Sequence, residues 1–433
     1  MMDLSAVNPL LKDEYEDYVV ECVHTETVAI DLFTDGDTST ADGRRVILPA
    51  HLRRDHAGVG FVGEGRQLPT PNAEGSGFYT IPFRKSAARF QVTKESIDQA
   101  QTNKGSFVRT LSYIMDHLVE NLTDVRNKAL CHYGAEVLAF VNGNPGASAT
   151  TITVDTPGGV AMPTGVSNGS RFLQVGQIVA ALRAGAILAN TPVTVAGIAP
   201  AGNFNQITVA ANSATMLDND ILVRAHASTV TDVADTSWYQ APMGFLGMVD
   251  DGTFVSDYFG LNRTTWDVIK SYVFTSVGAL SSDILQQGID VAYARGRGHI
   301  RKFLCEQAVR RQLLALREGD VRYSAATHGN DNLDAGSSIG HRGGQLTWSD
   351  IPVLVDYNFP YGMLLGIDAD TLVRFNVVPG KFEDWGGSVL VPAAQTHVAT
   401  GLFYMVDNFF LDAPNKCVRW DGIDVSVANV HVE

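Results

Sequence analysis

The sequence predicts an α+β protein in which one long helix and several strands frame a separate, inserted all-β module. Three observations carry that expectation. Between residues 88 and 141 a short alternating segment gives way to an uninterrupted helical repeat; residues 145–235 change composition abruptly; and the stretches beyond mix helical repeats with β-branched and aromatic runs.

The helical repeat is the organising stretch. Val108, Leu111, Met115, Leu118, Leu122, Val125, Ala129 and Tyr133 step by threes and fours, while Asp116, Glu120, Asp124 and Lys128 occupy the other face. There is no proline here, and no glycine from 106 to 133. A helix over residues 107–133 would be about 40 Å long, with Leu111, Met115, Leu118, Leu122 and Val125 as its core face. Before it, residues 89–93 (RFQVT) alternate as a half-buried strand does. No nucleotide- or substrate-binding turn lies between strand and helix, which steers the reading toward a structural protein.

Residues 145–235 hold eight charged side chains, no Lys and no Glu, and are dense in Thr, Val, Ala, Gly and Asn. Strand-like runs at 150–154, 177–182, 192–198, 206–210 and 221–225 alternate with turn clusters such as Pro157-Gly158-Gly159. This is an all-β unit between helical parts.

Upstream, residues 1–54 read as an arm with a short amphipathic helix at 11–23 and little core of its own. Residues 55–90 read as a long two-stranded excursion, its flanks Val59–Val62 and Phe78–Ile81, its tip near 69–77. A two-stranded ribbon cannot bury its own aromatics, so Phe78, Tyr79, Ile81 and Phe83 are expected to rest on a partner, with Arg84, Lys85 and Arg89 facing acidic groups there. Downstream, Thr264-x-x-Asp267 is a capping-box match before a run short and β-branched enough for a strand. Helices are expected at 282–295 and 301–318, then a polar loop at 319–345, then strands to the end.

With 433 residues the prior is about three domains. A net charge of −15 argues against tight, sequence-reading contact with nucleic acid. Cys22, Cys131, Cys305 and Cys417 are too scattered for a zinc knuckle or a disulfide framework, which fits a reducing compartment. The acidic N-terminus is unlike a secretory signal, and no window approaches the ~18 apolar residues of a membrane span.

The chemical motifs are weak. Gly336-x-Ser338-x-Gly340 has the spacing of a nucleophile elbow without strand or helix around it. Asn330-x-Asn332-x-Asp334 lacks the glycine and the glutamate of a calcium loop. Gly296-Arg297-Gly298-His299 lacks the remainder of a phosphate-binding turn and reads as a helix–helix connection. The histidines show no metal-ligand spacing. No catalytic, cofactor-binding or metal residues are expected. The basic cluster Arg295, Arg297, Arg301, Lys302, Arg310, Arg311 and Arg317 reads as solvated helix faces, or as contact with acidic neighbours or phosphate.

The order of parts, with FRKSAARFQVTKESIDQA, YFGLNRTTWDVI, LSSDILQQGIDVAYARGRG and LTWSDIPVLVDYNFPYGMLLGIDADTLVRF, resembles the major capsid protein of tailed bacteriophages, the Hong Kong 97-like fold. The resemblance covers most of the chain outside residues 145–235 and rests on pattern more than on invariant residues. It implies an N-terminal arm (1–54), an extended E-loop (55–90) lying over a neighbouring subunit, a peripheral domain with the spine helix (91–142), an axial domain (236–375) and peripheral return strands (376–433). The β-rich unit, bounded at 143–235, is an insertion. The implied function is self-assembly through pentamers and hexamers into an icosahedral shell enclosing double-stranded DNA. Implied partners are copies of itself, scaffolding, portal and possibly decoration proteins, and DNA by weak non-specific contact, with no membrane and no cofactor. The implied location is the virion, after assembly in the host cytoplasm. Many relatives begin with a long helical scaffolding segment, for which residues 1–54 are too short, so scaffolding would be a separate protein or this a mature form. The alternatives are an encapsulin-type nanocompartment shell and, in another class, a β-rich enzyme or adhesin.

Overall fold

The computed structural model describes residues 27–38, 43–95, 104–146, 149–189, 191–210, 215–318, 346–384, 389–392 and 397–425; side chains at 104–112, 201, 317 and 318 are not described. The helix expected at 11–23, the loop at 319–345 with both of its motifs, and Cys22 lie outside these residues.

The alternating segment and the helical repeat form strand Arg84–Thr93 and the 28-residue helix Lys104–Cys131, about 42 Å at 1.5 Å per residue. The strand pairs antiparallel along its length with Val398–Leu411, from Val398↔Thr93 to Asp407↔Arg84. Val398–Leu411 pairs on its other side with Leu372–Phe382, whose far edge takes Thr34–Asp35 in parallel. The helix lies against this sheet: Met115 and Leu118 pack with the buried Phe90, Val92 and Ile114. One turn beyond the buried Leu122, the apolar face admits a charge. Arg126 bonds Asp407, which also takes Arg374 at 2.8 Å, and both guanidinium groups lie over the Phe409 ring at 5.8 and 5.9 Å. Burial depresses the Arg126 pKa, an effect that Asp407 opposes.

A second sheet runs Tyr272–Phe274, Val418–Trp420, Leu364–Ile367, Lys302–Cys305, Ile351–Val355, Thr347–Trp348, with helices Ser282–Gly296 and Gln307–Glu318 against it. Ser281 caps the first helix by accepting from the Ile284 amide. Trp420 is fully buried, stacked on Phe274 at 5.8 Å, and donates to the Ile284 carbonyl at 3.2 Å. Gly288 leaves the space for that indole, since a Cβ there would sit 2.0 Å from Trp420 Cζ2.

Two sequence readings are corrected here. The helix expected from 301 begins only at Gln307, because Lys302–Cys305 is a central strand with Phe303, Leu304 and Cys305 all buried. A four-residue run covered on both faces has no period to distinguish strand from helix. Residues 376–433 do not form one unit of return strands either: Val418–Trp420 crosses into the second sheet, in parallel with Tyr272–Phe274.

The segment between strands and helices, residues 245–270, is mostly irregular and buried in part, from 245 to 250 and at 258, 259, 261, 263 and 269, so its inward carbonyls need donors. Arg263 supplies them, reaching the Gly247, Val255, Met248 and Ile269 carbonyls at 2.9, 2.9, 2.7 and 3.2 Å. Arg419 reaches those of Leu246 and Val249, and Asp250 lies between the two guanidinium groups.

The β-rich unit is a closed antiparallel barrel. Val137–Val141, Thr151–Asp155, Gln206–Val209, Val193–Ile198, Ile178–Arg183 and Ile221–Arg224 pair in that order, and the last returns to the first. All five expected strands are present, but the boundary at 143 is corrected: Val137–Val141 is a stave, so the barrel starts six residues after the long helix ends. Closure removes the open edges that a sheet of neutral Thr, Val and Gly would otherwise present.

The joint between helix and barrel holds His132, 6% exposed, its ring edge-on to Phe172 at 5.0 Å. Its Nδ1 lies 2.7 Å from the Lys128 carbonyl, which it reaches as a donor. Burial, with Arg171 and Lys128 nearby, lowers its pKa to about 4.

Three outcomes follow from these contacts. Asp407→Asn, which leaves two buried guanidinium groups without a counter-charge, is expected to cost about 3–5 kcal/mol in denaturant unfolding, and Arg126→Met less. Gly288→Ala should lower the melting temperature far more than Gln287→Ala on the exposed side of the same helix. Because the folded pKa of His132 is below the unfolded value, its stabilising effect is complete above pH 6.5 and is lost as pH falls toward 4, by at most about 3 kcal/mol. Buried Glu306 and Asp356 have raised pKa values and act in the opposite direction. The His132 part is therefore read as the difference in pH slope between the wild type and His132→Gln.

Candidate assembly surfaces

The excursion is built from two strands, Arg45–Arg53 and Gly75–Pro82, paired from Arg45↔Pro82 to Arg53↔Gly75. The partner strand is thus not Val59–Val62, as the sequence suggested, but RVILPAHLR, which the arm assignment had absorbed. Pro49 obscures the strand signal there, because a proline within a run argues against a strand except at an edge, and this ribbon consists only of edges. The arm also contributes more core than expected, since Ala29, Leu32, Val46 and Leu52 are all buried in the central cluster.

Alternation along the ribbon separates an inner from an outer face. Val46 and Ile81 are fully buried, and Tyr79 is 5% exposed with its ring 5.9 Å from Tyr258 and 5.0 Å from Phe410. Phe83 packs against the same cluster. The expectation that Tyr79, Ile81 and Phe83 await a partner is therefore corrected: the 258–261 segment and strand Val398–Leu411 cover them within the chain. A ribbon cannot bury aromatics by itself, but this one lies on the body. On the opposite face Phe78 is 63% exposed, with Ile47 beside it.

Of the basic residues, Lys85 lies 4.9 Å over the Tyr404 ring and Arg84 is half-buried, its pKa lowered by burial. Arg89 is exposed and makes no ion pair among the described residues. On the long helix, Met115 and Leu118 are half-buried against the Phe90, Val92 and Ile114 cluster, and Leu122 is buried. Val125 is half-buried and lines a cavity of about 20 Å³ at the barrel joint with His132, Phe172 and Arg224. The Leu111 side chain lies outside the description.

Beyond the strands, residues 54–74 form an irregular loop without a core. Asp55 holds its two legs together, accepting from the Ala57 and Asn72 amides at 2.8 Å each and from Gly58 at 3.3 Å. These bonds, the one from Asn72 foremost, hold its carboxyl below the ordinary range. Arg53 adds a bond to the Ala73 carbonyl. The clamp presents Val59, Phe61 and Leu68 to solvent at 77% exposure or more, or in the case of Leu68 at 75%. Exposed apolar side chains concentrated in one loop are of the kind that marks an interaction site.

The Gly296–His299 motif connects helix to strand rather than helix to helix, with Arg297 in the left-handed C-cap position. Among the described residues there is no group of three metal-capable side chains and no helix long and apolar enough to cross a membrane. What the sequence reading missed is the buried charge. Arg126, one turn from Leu122 on the apolar face, was the available signal.

No family model and no curated protein matches the chain. Solved structures do: the chain has the fold of phage capsid proteins. The capsid asymmetric unit of cyanophage A-1(L) aligns with a TM-score of 0.55 and 11% identity, over 98% of this chain and 99% of that one. The capsid of a native GTA particle aligns with a TM-score of 0.50 and 11% identity, over 97% and 98%.

The exposed and buried sides of the ribbon can be separated experimentally. Tyr79→Ala should cost about 3–5 kcal/mol of subunit stability. Phe78→Ala should stay within about 0.5 kcal/mol, which paired urea titrations would compare.

Proposed function

We propose that this chain is the major shell subunit of a tailed-phage capsid. The observation that carries the reading is the end-to-end likeness to capsid chains, which leaves almost none of this chain and almost none of theirs unmatched. The apolar loop at 54–74, clamped by Asp55 and without cover among the described residues, supports the same reading, because a shell is made of such contacts. Each contact is worth about 25 cal/mol per Å² of apolar area and becomes strong only when multiplied around a closed particle.

In this reading the loop and the outer ribbon face are the E-loop, resting on a neighbouring subunit. The long helix and first sheet form the peripheral domain, and the second sheet with its two helices forms the axial domain, which meets its copies in pentamers and hexamers. Scaffolding, portal and decoration proteins are the expected partners. The acidic balance suits a container that holds double-stranded DNA without gripping it. The protein's place is the virion, after assembly in the host cytoplasm, and its role is structural rather than catalytic.

The test is assembly. Expressed with its scaffolding factors, the protein should sediment as closed particles or as rings of five or six, and negative-stain images should show them. A monodisperse monomer at high concentration would overturn the reading. Replacing residues 56–73 by a short Gly-Ser linker should leave the melting temperature of the subunit nearly unchanged and abolish closed shells. Intact shells from that variant would remove the loop from the interface.

A further inference from the structure

A second surface is basic and aromatic. At the end of helix Ser282–Gly296, Tyr293 is 57% and Tyr272 38% exposed, and Arg295, Arg297 and His299 are exposed beside them. Tyr293 lies 5.6 Å from the His299 ring, and the Arg295 guanidinium 5.9 Å from that of Tyr272. Lys416 closes the patch, packed so tightly on the turn that a Cβ on Gly298 would lie 2.6 Å from its backbone. Arg295 is held by Asp267 at 3.1 Å, and Arg301, two residues past His299, by Asp370 at 2.6 Å. Arg297 and Lys416 make no ion pair among the described residues.

The composition of the patch selects its occupant. Two uncommitted cations are few for a polynucleotide, whose binding usually rests on about six to ten phosphate contacts. Exposed tyrosines at the helix end that also carries Arg297 and Lys416, neither ion-paired among the described residues, suit a short acidic peptide with aromatic side chains, since Tyr and Arg are the anchors of protein interfaces. This chain carries such a segment. Residues 1–26 hold seven carboxylates and one lysine, with Asp13, Glu14, Glu16, Asp17 and Glu21 surrounding Tyr15 and Tyr18. When extended, 26 residues reach up to about 90 Å, far enough for the patch on the same copy or on an adjacent one.

We propose that the acidic N-terminal segment of this chain docks on the patch formed by Tyr272, Tyr293, Arg297, His299 and Lys416, its carboxylates meeting Arg297 and Lys416 and its tyrosines meeting the exposed rings. The contact does not depend on a shell forming. It deepens the proposed function by giving subunits a salt-sensitive tie in addition to the apolar loop, because exposed ion pairs are screened by added salt.

The test is hydrogen–deuterium exchange on the full-length protein. Amides of residues 10–22 should be protected at low ionic strength and exchange at least about tenfold faster in high salt. Arg297→Glu with Lys416→Glu should abolish the protection, as should Glu14→Lys with Asp17→Lys, and combining the four changes should restore it. Arg297→Ala with Lys416→Ala serves as a milder pair, should the reversal alter the melting curve. Protection that fades on dilution assigns the docking to a neighbouring copy, and protection that persists assigns it to the same one. Both support the proposal. An unprotected segment in the wild type, or protection indifferent to Arg297 and Lys416, overturns it. So does a duplex-DNA titration in which the patch variants lose binding while exchange at 10–22 is unchanged. Shell formation is scored separately by negative stain, so failure of the docking is distinguishable from failure of the capsid reading.

Discussion

Strand Val398–Leu411 is covered on both faces over its last five residues, and the rest of the body is arranged to cover it. One face carries Phe403, Asp407, Phe409 and Leu411 toward the long helix; the other carries Asn408 and Phe410 toward the ribbon and the 258–261 segment. Such a strand must satisfy a charged residue as well as apolar ones. Asp407 is fully buried, and the Arg126 and Arg374 guanidinium groups that meet it fix where the helix and the neighbouring strand can lie. A buried pair of this kind is weak support for stability by itself, but it makes other registers costly.

The same device recurs at the second sheet, where Arg263 and Arg419 hold the irregular 245–270 segment through its carbonyls. Rigid construction at the body contrasts with the excursion, where one carboxylate, Asp55, organises a loop that has apolar side chains and no core. This difference is the physical basis of the proposed division of labour: the body buries its apolar side chains among the described residues, and the loop leaves its own exposed there. A closed barrel between helix and second sheet fits the same logic, since its strands pair among themselves around the ring.

Several elements were legible because their patterns are long or repeated. The helix at Lys104–Cys131 repeats over many turns, and the barrel strands are separated by Gly, Pro and Asn turns at regular intervals. The sequence could not show which face of the 78–83 strand turns inward, because Phe78, Tyr79, Ile81 and Phe83 look alike as apolar side chains. Their fate depends on the body beneath the ribbon. Nor could it show that Lys302–Cys305 is a strand, as four buried residues carry no period, or that Pro49 lies within one.

By itself, then, the sequence determined the mixed class, the long helix and five of the six barrel staves, all of which follow from local periodicity and turn chemistry. Tertiary structure decided what depends on contacts far apart in the chain. The partner of Gly75–Pro82 is a strand more than twenty residues upstream, Val418–Trp420 joins a sheet other than that of its chain neighbours, and the charge of Arg126 is answered 281 residues later by Asp407. Burial and pairing of that kind are properties of the packed chain, and no stretch of residues encodes them alone.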